Sequence, residues 1–440
     1  MHPRTEFSLL LRGFPGGPVL AELRTVPNYP AEPWSTRLWS LWRGGPRELF
    51  HPPRGTVGGL DFLRSLAILL VISGHVAGDY ASRHGHFWLE KLPIFDFGWT
   101  GVDLFFVLSG YLIGRQLWKE LHATGSIDVP GFLIRRGMRI YPYYFAFTAF
   151  MALVVDHGRP LARAVPDLLF FSNYGNGIVN GGWSLSTEEQ FYLFAPALIL
   201  LTRGVRFSRK YVPLVVLFAL LPGIRMASYL AWKAAGSQVP LENVLVFPFH
   251  THADGLILGL LLAWLSIAAP NVMAVRPLAS NLPVPMLLIV VGVLLRQVEK
   301  HAFALTGLAL LFGGMTLFIL RDAGKATRWT SFRGFHLVSR LSYGMYLNHF
   351  LILPRLLSAL GDGSRTDGGS NPAAVGHAHG FFPVEFAAFL LGTIAISIAM
   401  AFVTFCVVEH PFLMLRESWL KARAKAKKAA SVEPASQAVG

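Results

Sequence analysis

Cysteine is nearly absent from this chain: Cys406 is the single one in 440 residues. An intramolecular disulfide is therefore excluded, and one thiol in an apolar run says little about redox compartment. Charge is scarce as well. Charged residues make up 15% of the chain against 53% hydrophobic residues, and the mean hydropathy is +0.47. A soluble protein of this length needs more polar surface than that. No secretory leader is evident, because "FSLLLRGF" is short, is broken by Arg12, and has no small-residue cleavage site after a long apolar stretch. There is no clear internal repeat, and no stretch outside the apolar segments is long enough for a second folded domain or an appended esterase-like module. The histidine pairs His84–His86, His250–His252 and His377–His379 have metal-ligand spacing but no third ligand, so no metal site is expected.

What the chain does have is a series of ten apolar segments. They run over 60–78, 99–118, 140–156, 184–202, 210–231, 252–268, 283–297, 302–320, 337–357 and 384–408. Several reach the roughly 20 residues that a membrane-crossing helix needs. Lysine and arginine test the count independently. With residue 1 placed in the cytoplasm, 28 of the 39 basic residues fall on the cytoplasmic side and 9 on the other, with Arg64 and Arg225 inside helices. The expected fold class is all-α: a polytopic integral membrane protein of about ten transmembrane helices with both termini cytoplasmic. The net charge of +14 is then a matter of topology rather than of nucleic-acid binding. Residues 1–55 form a Pro-, Gly- and Arg-rich extension. It reads as an interfacial anchor through Trp34, Trp39 and Trp42, as a disordered arm, or as an upstream start-site artefact. Residues 56–412 form the membrane domain, and 413–440 a basic, low-complexity cytoplasmic tail expected to be disordered.

Polar residues interrupt the apolar segments. In "LDFLRSLAILLVISGH", 11 residues on a helix make three turns plus about 20°, so Arg64 and His75 share a face about 16 Å apart. Asp61 lies three residues before Arg64, and Asp79 four after His75, close enough to interact. Such a stripe belongs in the bundle interior. For Asp61, pairing with Arg64 at the inner interface and a functional use are equally open. For His75 a functional use is favoured. Asp103, Glu188, Glu189, Asp254, Arg225, Asn348 and His349 enter from other segments at comparable depth, as a buried polar site would require. At the inner face, Arg135, Arg136 and Arg139 suit either the ordinary positive-inside excess or a phosphate clamp. Ser109, Gly110 and Gly114 form a small-residue seam for close helix packing.

In combination and in this order, seven motifs resemble the acyltransferase-3 family of bacterial integral-membrane acyltransferases. They are "LDFLRSLAILLVISGH", "GWTGVDLFFVLSGYLIG", "RRGMRIYPYY", "WSLSTEEQFYLF", "HADGLILG", "SRLSYGMYLNH" and "VEHP", spread over residues 57 to 412. The family modifies O-antigens, other surface glycans, Nod factors and macrolides. The resemblance implies transfer of a short acyl group, usually acetyl, from acyl-CoA as co-substrate, with no further cofactor, to a hydroxyl of a glycan or glycolipid at the bacterial inner membrane. It maps the family's arginine–histidine motif onto Arg64 and His75, its arginine pair onto Arg136 and Arg139, and its glutamate motif onto Ser186, Glu188 and Glu189. An arginine expected shortly before Asp254 is absent, and "HTHAD" stands in its place. Chemically, His75 suits a general base, with Asp79 or Glu188 as the carboxylate orienting it and Arg64 on the same face. Arg135, Arg136 and Arg139 would take the CoA phosphates, and Ser186, Glu189, Asp103, Asp254 and His349 would line the substrate site. The alternative from another class is a transporter or flippase of a lipid-linked glycan, since intramembrane acid, arginine and histidine residues also build proton relays.

Overall fold

The computed structural model describes residues 45–50, 58–84, 88–155, 161–274, 281–321, 332–361 and 382–436. Among the described residues the chain is all-α. The long helices are α1 (Gly58–His84), α2 (Gly101–Thr124), α3 (Val129–Phe150), α4 (Gly182–Leu201), α5 (Tyr211–Ala234), α6 (Asp254–Ala268), α7 (Pro283–Val298), α8 (Lys300–Arg321), α9 (Arg333–Gly361), α10 (Phe382–Thr404) and α11 (His410–Ser436). Each of the ten apolar segments falls on one of α1 to α10. Five described helical runs are long and apolar enough to cross a membrane: Gly58–Ser82, Val129–Val155, Phe207–Ala234, Lys300–Arg321 and Pro383–Ala424. The protein is thus a multi-pass membrane protein. Large apolar side chains such as Leu193, Leu220, Leu287 and Leu391 point outward, where hydrocarbon rather than water suits them.

The centre of the bundle is set by small residues. Helices α2 and α6 pack against each other along their length. A Cβ on Gly110 would strike the carbonyl of Leu256, and one on Gly259 would strike the carbonyl of Val107. Only glycine permits this backbone approach, which replaces the hydrophobic drive that lipid cannot supply. Helices α1 and α9 also pack together, and α10 covers α9. Local signals fix the ends. Gly125, with φ of 73°, closes α2 in the left-handed conformation, and the Asp128 side chain caps α3 by accepting from the Gly131 amide at 3.1 Å.

Two expectations need correction. The tail after residue 412 was expected to be disordered, yet α11 runs helically to Ser436. Arg423 ties it down with two hydrogen bonds to Asp128, at 2.5 and 3.1 Å. The N-terminal extension is not wholly separate from the membrane domain either. Residues 45–50 are helical, Leu49 is fully buried, and Glu48 pairs with Arg340. The three anchor tryptophans lie outside the described residues. Between α10 and α11 a π-helical turn, Phe405–Glu409, carries Glu409 into the interior. Such turns re-aim side chains that a regular helix would point elsewhere.

Candidate active site

Five helices leave a partly open cavity between them. Arg64 reaches it from α1, Ser109 from α2, Arg136 and Arg139 from α3, Glu188 and Tyr192 from α4, and Ser342, Tyr343 and Tyr346 from α9. The α3 arginines reach it together because they are three residues apart, about one helical turn. Three guanidinium groups therefore face one carboxylate. Glu188 is oriented by two hydroxyls, accepting from Ser109 and, at 2.7 Å, from Tyr192 one turn further along α4. Arg136 donates to Gln116 at 3.0 Å and lies over the Phe132 and Tyr192 rings. The buried Nε of Arg64 has no hydrogen-bond partner among the described residues. An unsatisfied buried guanidinium nitrogen is costly, and an anionic ligand would satisfy it.

Tyr346 forms the inner wall. Its hydroxyl lies 2.6 Å from the Ser184 Oγ and donates to the Gly181 carbonyl at 3.1 Å. Gly181 adopts φ of 77°, and a Cβ there would collide with Tyr346 and Phe350, so this turn requires glycine. On its other side the Tyr346 ring packs 5.8 Å from the ring of His349. His349 Nε2 in turn lies 3.0 Å from His75 Nδ1. His349 thus neighbours one tyrosine of the cavity wall, and His75 lies beyond it.

The remaining expected residues separate into distinct roles. Arg64, Arg136, Arg139 and Glu188 come together on the cavity, and Glu188 is hydrogen-bonded to Ser109 and Tyr192 rather than to His75. Asp79 does not orient His75; that position is held by His349, which sequence reading had placed with the substrate. Asp61 does not pair with Arg64 either: it accepts from His336 Nδ1 and from Ser339 Oγ, each at 2.8 Å. Arg135 lies off the cavity, 4.0 Å from Asp128. Glu189 points away from Glu188 and accepts from the Tyr141 hydroxyl at 3.0 Å. Ser186 holds Ser172 at 2.8 Å, and so ties the 161–181 connection to α4. Asp103 and Asp254 are committed to buried pairs. Asp103 meets His252 Nε2 at 2.9 Å, and Asp254 accepts from both Arg225 terminal nitrogens, at 2.5 and 3.1 Å. Among the described residues no group of three or more histidine, cysteine or acidic side chains is placed to hold a metal.

Sequence reading did not single out Tyr346, Tyr192, Tyr343 or Ser109 as site residues. Their helical offsets were visible: Tyr192 is four residues from Glu188, and Tyr346 three from His349. An aromatic residue at helical spacing is more often core than site, however.

The sequence profile of the acyltransferase-3 family, described as an acyltransferase domain, matches residues 57–402. The chain belongs to the acyltransferase-3 family. Among similar proteins, Staphylococcus aureus (strain COL) "Putative O-acetyltransferase SACOL0978" is 27% identical over 334 residues, covering 70% of this chain and 52% of that protein. The "Peptidoglycan O-acetyltransferase OatA" of Listeria monocytogenes is 26% identical over 330 residues, covering 68% of this chain and 50% of that protein. The chain spans about half the length of the curated relatives it matches. No solved structure matches it. Family membership covers all five helices of the cavity, so Arg64, Arg136, Arg139, Glu188 and the histidine pair all lie inside the acyltransferase domain.

Proposed function

We propose that this protein is a bacterial O-acyltransferase that moves a short acyl group, acetyl in the first instance, from acyl-CoA to a hydroxyl of a cell-envelope glycan or glycolipid. In this reading it resides in the cytoplasmic membrane with ten spans and both termini inside, the arrangement that the loop-charge asymmetry favours. The observation that carries the proposal is the juxtaposition of a three-arginine cavity with a histidine pair one side chain away. Guanidinium groups bind phosphates through planar, paired donors, so the cavity would take the anionic part of CoA from the cytoplasmic side. Glu188 is one carboxylate among three cations, so the cavity keeps a net positive charge.

His75 is the general base. It takes the proton of the acceptor hydroxyl as the oxygen attacks the thioester carbonyl. The tetrahedral intermediate collapses, the carbon–sulfur bond breaks, and the CoA thiolate leaves to be protonated by the imidazolium. The products are the O-acyl ester and free CoA. For the thioester to meet His75, the Tyr346 side chain must yield, so the tyrosine stands as a gate between donor cavity and base. Relatives with peptidoglycan in their names make peptidoglycan fragments the first acceptor to try. The test is CoA release from acetyl-CoA by purified protein with muropeptides as acceptor. His75→Ala should lose transfer, by about 10²-fold or more, while still binding CoA. A fully active His75→Ala variant would sink the assignment.

A further inference from the structure

The hydrogen-bond chain through the histidine pair fixes which nitrogen of His75 is free. His349 is fully buried, and its Nδ1 lies 3.2 Å from the carbonyl oxygen of Met345, one turn back on α9. A carbonyl only accepts, so this nitrogen carries the proton. The neutral ring then has a lone pair on Nε2, the atom 3.0 Å from His75 Nδ1. His75 Nδ1 must therefore be the donor, and the lone pair of His75 resides on Nε2. Aromatic packing holds both rings in this register. They stack with centroids 5.1 Å apart and planes 20° from parallel, and Phe350 lies 4.7 Å from His75 and 4.0 Å from His349.

We infer that His349 is a positioning residue that fixes the tautomer of His75, presenting Nε2 as the base and relaying the charge that forms when that base is used. The inference rests on the reading of His75 as the general base. When Nε2 takes the hydroxyl proton, His75 becomes an imidazolium. Its Nδ1 proton can pass along the existing hydrogen bond to His349 Nε2, leaving His75 neutral with its new proton on Nε2. The transfer reverses as the departing thiolate collects a proton from His75, so one proton enters from the alcohol and one leaves on CoA. In the serine-hydrolase arrangement a buried carboxylate orients the histidine and stabilises its charge without taking the proton. Here the neutral His349 orients His75 and adds no ionised group to the resting site in the membrane.

The experiment compares wild type with His349→Gln and His349→Phe in lipid vesicles. Two readouts are taken: solid-state ¹⁵N spectra of histidine-labelled protein, with the His75 signals assigned by difference against His75→Gln, and acetyl-CoA-dependent transfer to muropeptides. Wild type should show His75 protonated on Nδ1. Glutamine offers an acceptor oxygen but cannot take the proton, so it should preserve that tautomer while lowering transfer by up to about 10-fold. Phenylalanine keeps the ring packing and removes the acceptor, so it should mix the tautomers and lower kcat by about 10²-fold, within the range a displaced base loses. A wild-type His75 protonated on Nε2 overturns the inference. So does a His349→Phe protein with unchanged tautomer and rate. Full activity of His75→Ala would instead overturn the base assignment, and the spectra would still report on the tautomer.

Discussion

The ion pair between Arg225 and Asp254 separates a substrate-binding aspartate from a structural one, and it can be tested by a double-mutant cycle. Arg225 is 1% exposed and Asp254 0%. The guanidinium makes five hydrogen bonds: to both carboxylate oxygens, to the Ala302 and Thr251 carbonyls at 2.8 Å each, and to Thr306 Oγ1 at 2.5 Å. Arg225→Met removes all five and leaves a carboxylate buried with Thr306 as its remaining donor. Breaking one side of a buried pair costs about 3–5 kcal/mol. Asp254→Asn leaves the opposite charge stranded at similar cost. In the double variant no buried charge remains, so the total loss should be about 3–5 kcal/mol rather than the sum of the singles, a coupling of some 3 kcal/mol or more. The assay is reversible unfolding in mixed micelles for all four proteins, followed by acetyl-CoA turnover of those that fold. The folded double variant should turn over with a near-normal KM. Additive losses would refute the energetic reasoning, and a double variant that is stable but unable to bind acceptor would return Asp254 to the substrate site.

Three other outcomes are expected. Arg139→Gln removes one of the three cavity cations; a charge-assisted hydrogen bond is worth about 1.5–3 kcal/mol, so KM for acetyl-CoA should rise roughly 10- to 100-fold with kcat little changed, and an unchanged KM would count against phosphate binding. Tyr346→Ala joins the cavity to the space before the histidines. At about 0.8 kcal/mol per buried CH₂, butyryl-CoA should gain on acetyl-CoA by roughly 10-fold in kcat/KM; an unaltered chain-length profile would show that Tyr346 is no gate. The docking of α11 should depend on pH. Burial pushes the Asp128 carboxyl up, but the bonds from Arg423 and the Gly131 amide and the charge of Arg135 outweigh it and hold it below its ordinary value. A carboxylate depressed on folding contributes fully above its unfolded pKa of about 3.9 and loses that contribution as pH falls through the folded value. Trp419 beside Arg423 should therefore report release of the helix in acid, and Asp128→Asn should release it at neutral pH as well.

Much of the site could be read along single segments. Arg64 and Glu188 are legible because a charged residue in an apolar run has few reasons to be there, and the Arg136–Arg139 spacing places both on one helix face. The 3.6-residue period joins Glu188 to Tyr192 in the same way. Partners from different segments were not legible. Asp79 is four residues from His75 in sequence, yet the residue that bonds His75 is His349, 274 positions away. For Asp61 the local spacing leaves pairing with Arg64 and a functional use equally open, and the side chain instead holds His336 and Ser339 on α9.

By itself the sequence determined the membrane environment, the helices and the family, because hydropathy, charge bias and ordered motifs are properties of the chain read in one dimension. Tertiary packing decided which polar residues form the cavity and which close a structural pair. Asp103, Asp254 and Glu188 enter the bundle from apolar segments in much the same way. Only the backbone approach of α2 to α6 at Gly110 and Gly259, and the placement of Arg225 and His252, commit the two aspartates to buried partners. Glu188 is left facing the cavity. In a medium that hydrates nothing, each buried charge is claimed by its nearest complementary group, and nearness between helices is not written along any one of them.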